Sequence, residues 1–366
     1  MSQIIKVVHV LPNASIGGVS KYVYELVEEQ KKNSQLRPAI LFYNTHGTML
    51  EQFRKLEVPM YPFYMRSFHY PVSEYKKITK TINQYHIVHW HVFIPVLSFF
   101  HLSKNVKQFF THHSVFGTGR ITKKTDPIKW YLFKRFINKK IDGVIFNSEF
   151  SRKFWYSRNV CGKKTALIYN GVNLNIQEST PVDDETKKFI AHKFVVGTTS
   201  NFIGWKRIEL LIKSFALFQK NKDDVCLLIV GDGYMKEDYL SLIKDLNLEN
   251  KVILPGHRLN ISSYQKEMNV CVFPSTTETF GLVAVECMNL GKPVIVFNDG
   301  DGIVEVVGKD SPNVVSDITG LSNRLDYYYH NQSVLETDKV LFQERAGIFN
   351  ISKNEKEVML FYKLVL

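Results

Sequence analysis

The sequence predicts an α/β protein of two doubly wound domains, in which each mostly parallel sheet carries helices on both faces. Two observations support this fold class. Short apolar runs alternate with helix-length stretches along most of the chain, a pattern typical of open parallel sheets. One polar, proline-containing stretch interrupts the alternation near the middle of the 366 residues, and we expect the boundary between the domains there.

The N-terminal half opens with a strand, a glycine turn and a helix. The apolar run IIKVVHVLP (4–12) precedes the turn-rich NASIGG (13–18), after which apolar residues recur at helical spacing, as at the start of a βα unit. Five further runs predict the remaining strands: PAILFY (38–43), IVHWHV (87–92), QFFTHHS (108–114), GVIFNS (143–148) and TALIYNG (165–171). We expect an N-terminal domain over residues 1–176.

The polar stretch NIQESTPVDDETKK (175–188) has little to bury and predicts a linker over 177–188. A second alternating series predicts a C-terminal domain over 189–345: FVVGTTS (194–200), VCLLIVGDG (225–233), KVILPG (251–256), NVCVFPS (269–275) and KPVIVFND (292–299). Residues 346–366 predict a C-terminal helix, for which packing back on the N-terminal domain is one arrangement. Two such domains in tandem are expected to leave a cleft, with ligands beyond the carboxyl ends of the strands.

Composition narrows the class of protein. The chain has 47 Lys and Arg against 35 Asp and Glu, a net charge of +12, which favours an anionic partner such as nucleic acid, an acidic membrane or a phosphorylated substrate. Nucleic-acid binding rests on this charge alone, since we find no recognition motif.

No apolar run approaches the ~20 residues of a membrane span, and no secretory signal begins the chain, so we expect a cytoplasmic protein. The four cysteines are widely spaced, which disfavours a structural disulfide, and Cys226 and Cys271 lie within apolar runs that predict buried thiols.

The stretch ETFGLVAVE (278–286) places two glutamates around a mostly apolar segment. A helix beginning near Phe280 and Gly281 would present unpaired N–H groups at its start, where the helix dipole favours an anion. Glu278 would precede this helix and Glu286 would lie on it, so the two could accept hydrogen bonds from different hydroxyl groups of one elongated ligand. The alternative is that Glu278 is a helix-start residue stabilised by the dipole and that Glu286 faces solvent.

The segment FPSTTETFGLVAVECMNLGKPVIVFNDGDGIVEVV (273–307) resembles the nucleotide-sugar signature of the retaining glycosyltransferases of family 4, the glycosyl transferases group 1. Further segments are similar to elements of that family in the same order: IGGVSKYVYEL (16–26), FFTHHS (109–114), IFNSEFSRKF (145–154), LIYNGVN (167–173), LLIVGDG (227–233) and KVILPG (251–256). The resemblance implies the GT-B architecture, in which two Rossmann-like domains face a central cleft. It also implies transfer of a sugar from a nucleotide-diphosphate sugar with retention of anomeric configuration.

The resemblance assigns roles in the C-terminal domain. Glu286 is expected to bind the ribose hydroxyls of the nucleotide, and Glu278 to orient hydroxyls of the donor sugar. The backbone N–H groups of Phe280, Gly281 and Leu282 are expected to face the diphosphate and the sugar.

Lys206, in NFIGWKR (201–207), matches the family lysine that neutralises the diphosphate, a role suited to a compact ammonium charge. From composition alone, Lys206 is one of many solvated lysines. The family usually has an arginine five positions earlier, where this chain has Asn201. A neutral amide forms a weaker hydrogen bond than a charged donor, so we expect weaker stabilisation of the leaving diphosphate unless Arg207 compensates.

In the N-terminal domain, Gly17 and Gly18 match the family's glycine loop, where missing side chains let the backbone approach a phosphate; the alternative is a simple tight turn. His113 matches the family histidine that hydrogen-bonds the donor sugar or the reaction centre. If the strand continues, His112 points to the opposite face of the sheet.

No metal and no cofactor beyond the donor are expected, and a UDP-sugar is favoured over a GDP-sugar. The family lacks the Asp-x-Asp metal clamp of other glycosyltransferases, and Lys206 with the helix dipole supplies its positive field. Asp299 and Asp301, in NDGDG (298–302), match the family's glycine turn; metal binding there is the alternative.

Acceptor recognition belongs to the N-terminal domain in this family. The segment KKTDPIKWYLFKRFINKK (123–140) mixes Lys and Arg with aromatic residues, and such a helix can lie on an anionic membrane surface. The alternative is a helix packed on the sheet with solvated lysines. We therefore expect a saccharide or lipid-linked saccharide acceptor and peripheral binding to the inner membrane face. A non-catalytic nucleotide-sugar-binding subunit, which Asn201 favours, is the alternative function.

Overall fold

The computed structural model describes residues 4–15, 17–43, 47–63, 72–94, 101–115, 126–175 and 180–366. The chain divides into two compact units. Unit 1 consists of Met1–Asn173 with Asn350–Leu366, and unit 2 of Leu174–Phe349. No helix in the described part of the chain combines the length and the apolar character needed to cross a membrane.

The described residues of unit 1 form a seven-stranded parallel sheet in the order β3-β2-β1-β4-β5-β6-β7. Its strands are β1 (Ile5–Leu11), β2 (Leu36–Phe42), β3 (Met60–Pro62), β4 (Ile87–Trp90), β5 (Lys107–His112), β6 (Gly143–Phe146) and β7 (Lys164–Leu167). The helices between them are α1 (Gly18–Lys32), α2 (Leu50–Lys55), α3 (Val72–Ile82), α4 (Asp126–Lys140) and α5 (Glu149–Tyr156). The strand order reverses between β1 and β4, which marks the point where such sheets bind ligands.

Both faces of the unit 1 sheet are covered, because alternate residues of each strand point to opposite faces. Val8 and Val10 of β1 belong to one core cluster, which also contains Trp155 of α5. Val7 of β1 belongs to the cluster on the other face. Burial on both faces explains why these strands read as nearly continuous apolar runs.

The described residues of unit 2 form a six-stranded parallel sheet in the order β10-β9-β8-β11-β12-β13. Its strands are β8 (Phe194–Thr199), β9 (Val225–Val230), β10 (Val252–Gly256), β11 (Val270–Phe273), β12 (Val294–Phe297) and β13 (Val314–Val315). Its helices are α6 (Asp184–Ile190), α7 (Ile208–Phe218), α8 (Lys236–Asp245), α9 (Ile261–Glu267), α10 (Leu282–Asn289), α11 (Gly302–Val307), α12 (Ile318–His330) and α13 (Gln332–Gly347). The order reverses between β8 and β11.

The last helix, α14 (Ile351–Val365), belongs to unit 1 although it follows unit 2 in the chain. Val358, Phe361 and Tyr362 lie at helical spacing and are buried in the same cluster as Phe109 of β5. The start of the helix is fixed by the N–H of Ile351, which donates to the carbonyl of Val172 at 3.0 Å.

The segment 177–188, predicted as a linker, contains the beginning of α6. Asp183 caps this helix, because its side chain accepts a hydrogen bond from the N–H of Thr186 at 2.9 Å. The same carboxylate accepts from the hydroxyl of Tyr264 at 2.6 Å. The linker prediction is therefore wrong for this part, where polar residues are used for capping and for binding the rest of unit 2.

Candidate functional site

In unit 2, the loop between β11 and α10 carries the glutamate-bracketed stretch. Gly281 is the N-cap of α10 and has φ 95°, in the left-handed region that favours glycine. A Cβ on this residue would lie 2.5 Å from Cγ1 of Ile303. As glycine, this N-cap residue has no side chain to cap α10, and the first N–H groups of the helix are suited to an anion.

Glu278 and Lys206 form a hydrogen-bonded ion pair. Glu278 lies in the β11–α10 loop, and Lys206 ends a 3₁₀ turn (Gly204–Lys206) that follows β8. Only 18% of the Lys206 side chain and 19% of the Glu278 side chain are exposed. The two predicted residues are therefore brought together beyond the carboxyl ends of β8 and β11, where the strand order of unit 2 reverses.

The backbone of Glu278 is held by the glycine turn before α11. The N–H of Gly302 donates to the carbonyl of Glu278 at 2.7 Å, and Glu278 and Asp301 form a parallel β-bridge. A Cβ on Gly302 would collide with the carbonyl of Thr279. Glycine is thus required here so that the turn can pack directly against the loop that carries Glu278.

Arg207 is tied to this turn. Its guanidinium donates to the two carboxylate oxygens of Asp299 at 2.7 and 2.6 Å, and its Nε donates to the carbonyl of Pro274 at 2.7 Å. Hydrogen bonding from Arg207 holds the pKa of Asp299 below its usual value. Burial, with the charge of Asp299 as a further cause, raises the pKa of Asp301 to about 6. Arg207 can therefore compensate for Asn201 only in competition with its bidentate pair to Asp299. Together with the hydrogen bond to Pro274, that pair holds the β12–α11 turn against the end of β11.

Asn201 is exposed and lies just after β8, next to the buried Phe202. The neighbouring VGDG motif supports this segment, since the N–H of Phe202 donates to the carbonyl of Asp232 at 2.8 Å. Gly231 has φ 151°, and a Cβ on it would collide with the carbonyl of Ser200. The glycines of the motif thus permit close contact between two loops at the carboxyl end of the sheet.

The other predicted residues of unit 2 lie on or beside α10. Glu286 is half-buried on the helix, about one turn beyond its start. Phe280 is 2% exposed, and its ring packs edge-on against Phe349 at 5.3 Å. The Phe280 side chain is therefore a core residue, and only its backbone is suited to a ligand. Leu282 is the first residue of α10.

In unit 1, Gly17 precedes α1 and Gly18 is its first residue. Gly17 has φ 170°, which is extended backbone open to any residue, and a Cβ added there would meet no described atom within 4 Å. The described fold does not require glycine at this position. The tight-turn alternative consequently receives no support from its backbone.

His113 follows β5, is half-buried, and lies in a row with the buried His9 and His91, an arrangement that the sequence patterns did not indicate. His113 Nε2 lies 2.9 Å from His91 Nδ1, His91 Nε2 lies 3.0 Å from His9 Nδ1, and His9 Nε2 lies 2.8 Å from Gln30 Oε1. Burial lowers the pKa of His113 to about 3 and that of His9 to about 4. Burial and the neighbouring rings lower the pKa of His91 well below its usual value.

Two further hydrogen bonds connect His89 to α14 and to β5. His89 Nδ1 lies 2.6 Å from the hydroxyl of Tyr362, and His89 Nε2 lies 2.7 Å from Oγ1 of Thr111. The signal in the sequence was the spacing of His89 and His91, which places both on one face of a strand. His112 points to the other face, as predicted, and its ring stacks on Trp155 at 4.3 Å.

Two family models match the chain. The model for Glycosyltransferase Family 4 matches residues 16–176, and the model for Glycosyl transferases group 1 matches residues 182–340. Together they account for most of the chain, with one model for each half.

Curated relatives resemble about half of the chain. An N-acetylgalactosamine-N,N'-diacetylbacillosaminyl-diphospho-undecaprenol 4-alpha-N-acetylgalactosaminyltransferase of Campylobacter jejuni is 29% identical over 182 residues, 50% of this chain and 47% of the relative. The capsular polysaccharide biosynthesis glycosyltransferase CapM of Staphylococcus aureus is 25% identical over 201 residues, 49% of this chain and 52% of the relative. The chain spans about half the length of the curated relatives it matches.

Solved structures match the whole fold. The Anabaena protein Alr3699/HepE, crystallised with UDP, has a TM-score of 0.80 at 20% identity, covering 99% of this chain and 100% of that one. A glycosyltransferase from Rickettsia africae has a TM-score of 0.78 at 18% identity, covering 99% and 98%. These likenesses and the two parallel sheets confirm the predicted fold class of two Rossmann-like domains.

Proposed function

Because the chain belongs to the family 4 glycosyltransferases (glycosyl transferases group 1), we propose that it transfers a sugar from a nucleotide-diphosphate sugar to a saccharide or lipid-linked saccharide. We further propose that the transfer retains the anomeric configuration and needs no metal. The observation that carries this proposal is the Lys206–Glu278 ion pair beside the uncapped start of α10. It places a cation, a carboxylate and helix N–H groups at one end of one sheet.

The leaving diphosphate gains negative charge as its bond to the sugar breaks. Lys206 and the first N–H groups of α10 are positioned to stabilise that charge, which is a large contribution to many enzymic rates. An ammonium group has three N–H donors, so Lys206 can bind Glu278 and a phosphate oxygen together. Glu278 in turn can keep one oxygen on Lys206 and accept from a sugar hydroxyl with the other.

The acceptor hydroxyl attacks the anomeric carbon on the face that the diphosphate leaves. Its oxygen forms the new glycosidic bond, and its proton passes to the departing phosphate oxygen. In this scheme no enzyme carboxylate becomes covalently attached to the sugar. Family members are usually interpreted in this way, and Lys206 with the helix dipole supplies the positive field.

The remaining predicted residues complete the donor site in this proposal. Glu286 binds the ribose hydroxyls, since a carboxylate on α10 can accept two hydrogen bonds. Gly17 and Gly18 let the backbone approach a phosphate, and His113 hydrogen-bonds the transferred sugar. Asn201 contributes a neutral hydrogen bond where the family usually has an arginine. We propose a UDP-sugar as donor.

For the acceptor, we propose a lipid-linked saccharide at an anionic membrane surface. Helix α4 packs on unit 1 through buried Phe136 and Ile137, but Ile128 and Tyr131 are each 63% exposed. Arg135 is exposed on the same side of the helix, four residues after Tyr131. This combination of apolar and basic groups suits binding at an anionic lipid surface. Residues 123–125 of the predicted segment lie outside the described residues.

The test is a panel of UDP-, GDP- and ADP-sugars, in which thermal shift measures binding and nucleotide release measures turnover. A ligand that binds only the folded protein raises its melting temperature. We expect a UDP-sugar to stabilise the protein and to be consumed when an acceptor is added. Binding without transfer or slow hydrolysis would instead support the non-catalytic subunit.

A further inference from the structure

We infer that Gln30, His9 and His91 are positioning residues that hold His113 in one neutral tautomer, with a proton on Nε2 and a lone pair on Nδ1. The four side chains form a continuous row of hydrogen bonds of 2.8–3.0 Å. The row begins at α1 with Gln30, crosses β1 at His9, and passes through His91 to reach His113 beyond the end of β5.

The positions of the protons along the row follow from Gln30, the first residue of the row. A carbonyl oxygen only accepts, so Gln30 Oε1 requires the proton of His9 to be on Nε2. A neutral imidazole carries one proton, hence His9 Nδ1 accepts and His91 must donate through its own Nε2. The same step repeats once more, so that His113 donates through Nε2 and keeps Nδ1 as an acceptor.

The orientation of the Gln30 amide decides these positions. Its Oε1 lies 2.8 Å from His9 Nε2. With the amide reversed, its nitrogen would donate to His9 Nε2, and each proton of the row would lie on Nδ1 instead. The position of the proton on His113 therefore reports which atom of the amide faces His9.

Burial keeps the rings neutral. His9 is 0% exposed and His91 is 5% exposed, and a charged imidazole in such surroundings would lack water to solvate it. A second proton on His9 or His91 would also point two N–H donors at each other, at the His9–His91 or the His91–His113 contact. The pKa shifts of His9, His91 and His113 are all downward.

A metal ion is the competing explanation, because nitrogen atoms of His9, His89 and His91 lie within 4.8 Å of one another. All six ring nitrogens of these residues already contact a protein partner. The rings of His89 and His91 are also stacked, at 4.2 Å between centroids. Stacked rings direct their lone pairs along parallel planes and do not converge on one ion.

The consequence is that Nδ1 of His113 is an acceptor in this tautomer, so a group that binds it there has to be a donor, such as a hydroxyl. This last step rests on the proposed function, in which the hydroxyl belongs to the transferred sugar. The assignment of the tautomer does not rest on the proposed function, and it can be measured in the protein without any substrate.

The test is long-range proton–nitrogen correlation NMR on the full chain labelled with ¹⁵N-histidine. We expect His9, His91 and His113 each to show a protonated Nε2 and an unprotonated Nδ1 at pH 7. A protonated Nδ1 on His113 would show that the row runs the other way and would overturn the inference. So would added Zn²⁺ shifting the nitrogens of His9 and His91 together at one equivalent.

Gln30→Met removes the fixed acceptor with little change of side-chain length. We expect the nitrogen signals of His113 to move towards a mixture of tautomers, while those of His112 on the opposite face stay unchanged. Thr111→Val is the matched control, since it removes a partner of His89 without touching the row. If the nitrogen signals of His113 are unchanged in Gln30→Met, the positioning role of Gln30 is overturned.

Turnover provides a separate measurement. Gln30→Met should lower kcat about fivefold, the value of one net hydrogen bond, and leave the nucleotide Kd unchanged. If the NMR result holds and turnover is absent from every variant and from the wild type, the proposed function fails while the tautomer assignment stands. If Gln30→Met does not fold, the wild-type spectrum alone decides the direction of the row.

Discussion

Lys206 and Glu278 are 72 positions apart in the sequence and form an ion pair beyond the carboxyl ends of two neighbouring strands. Each residue follows a strand beside the reversal of strand order in unit 2. The pair holds the ammonium group in place before any ligand binds. Such preorganisation is what makes electrostatic stabilisation effective, because little reorganisation is needed during the reaction.

Lys206→Ala should lower turnover by about 10²- to 10³-fold, the usual loss when one charge-stabilising donor is removed. Donor binding should weaken less, because other contacts to the nucleotide are retained. Initial rates of nucleotide release measure the effect. Lys213→Ala, at an exposed position on α7, is the matched control, and equal rates in both variants would contradict the assignment of Lys206.

Glu286→Ala should weaken nucleotide binding by roughly 10- to 100-fold, because a hydrogen bond to a charged group contributes about 1.5–3 kcal/mol. Calorimetric titration with UDP gives the Kd. Glu237→Ala, at an exposed position in the first turn of α8, is expected to bind UDP as the wild type does. A wild-type Kd for Glu286→Ala would place the ribose elsewhere.

Asp301→Asn should stabilise unit 2 above pH 6 and have no such effect below pH 4. Burial and the charge of Asp299 raise the folded-state pKa of Asp301 to about 6 from 3.8, so the folded state binds more protons between these values and stability falls as pH rises through them. Melting temperatures from pH 3.5 to 8 measure the difference. Asp299→Asn should instead destabilise at neutral pH, since it weakens the pair with Arg207. A constant effect of Asp301→Asn across this range would show that its carboxyl is not perturbed.

His112→Phe should stabilise unit 1 by about 1 kcal/mol at pH 7, because His112 Nε2 is buried with no partner among the described residues. The increase in the free energy of unfolding should become larger as the pH falls below 6.5. Burial holds the folded-state pKa of His112 well below 6.5, so the unfolded chain takes up a proton that the folded state does not. Urea unfolding at pH 5 and 7 measures this. His112→Ala is the contrasting variant, which should destabilise by leaving a cavity beside Trp155.

Ile128→Ser combined with Tyr131→Ser should reduce binding to anionic liposomes, because it removes the exposed apolar groups of α4. Flotation on vesicles of mixed neutral and anionic lipid measures the bound fraction, with neutral vesicles for comparison. Leu341→Ser is the control, since Leu341 on α13 is 58% exposed. Equal flotation of all three proteins would remove α4 from the membrane proposal.

The sequence predicted all described strands except β3 and β13, because burial on both faces makes the other strands continuous apolar runs. β3 and β13 lie at edges of their sheets and have only three and two residues, too few to form an apolar run. It also predicted the region around Glu278, since the glycines and acids there follow a strand directly. The proximity of Lys206 to Glu278 depended on the family resemblance, because a parallel sheet joins residues through long connections. Polar composition concealed α6, where Asp183 acts as a helix cap.

The histidine row could not be derived from the sequence. His89 and His91 share a face by strand alternation, but the register that sets His9 beside His89 is determined by packing across the sheet. Gln30 belongs to a helix whose rotation fixes where its amide points. These relationships are tertiary, and spacing along the chain gives no measure of them.

The place of α14 has a consequence for the order of assembly. Unit 2 is inserted into unit 1, and the two connecting points lie side by side, where Val172 and Asn350 form a β-bridge. During synthesis the residues of unit 2 are complete before the helix that covers the unit 1 sheet has left the ribosome. Tyr362, which contacts His89, is made only after the whole of unit 2. The polar interior of unit 1 is therefore closed only after all residues of unit 2 have been synthesised, so the inserted unit can begin to fold first.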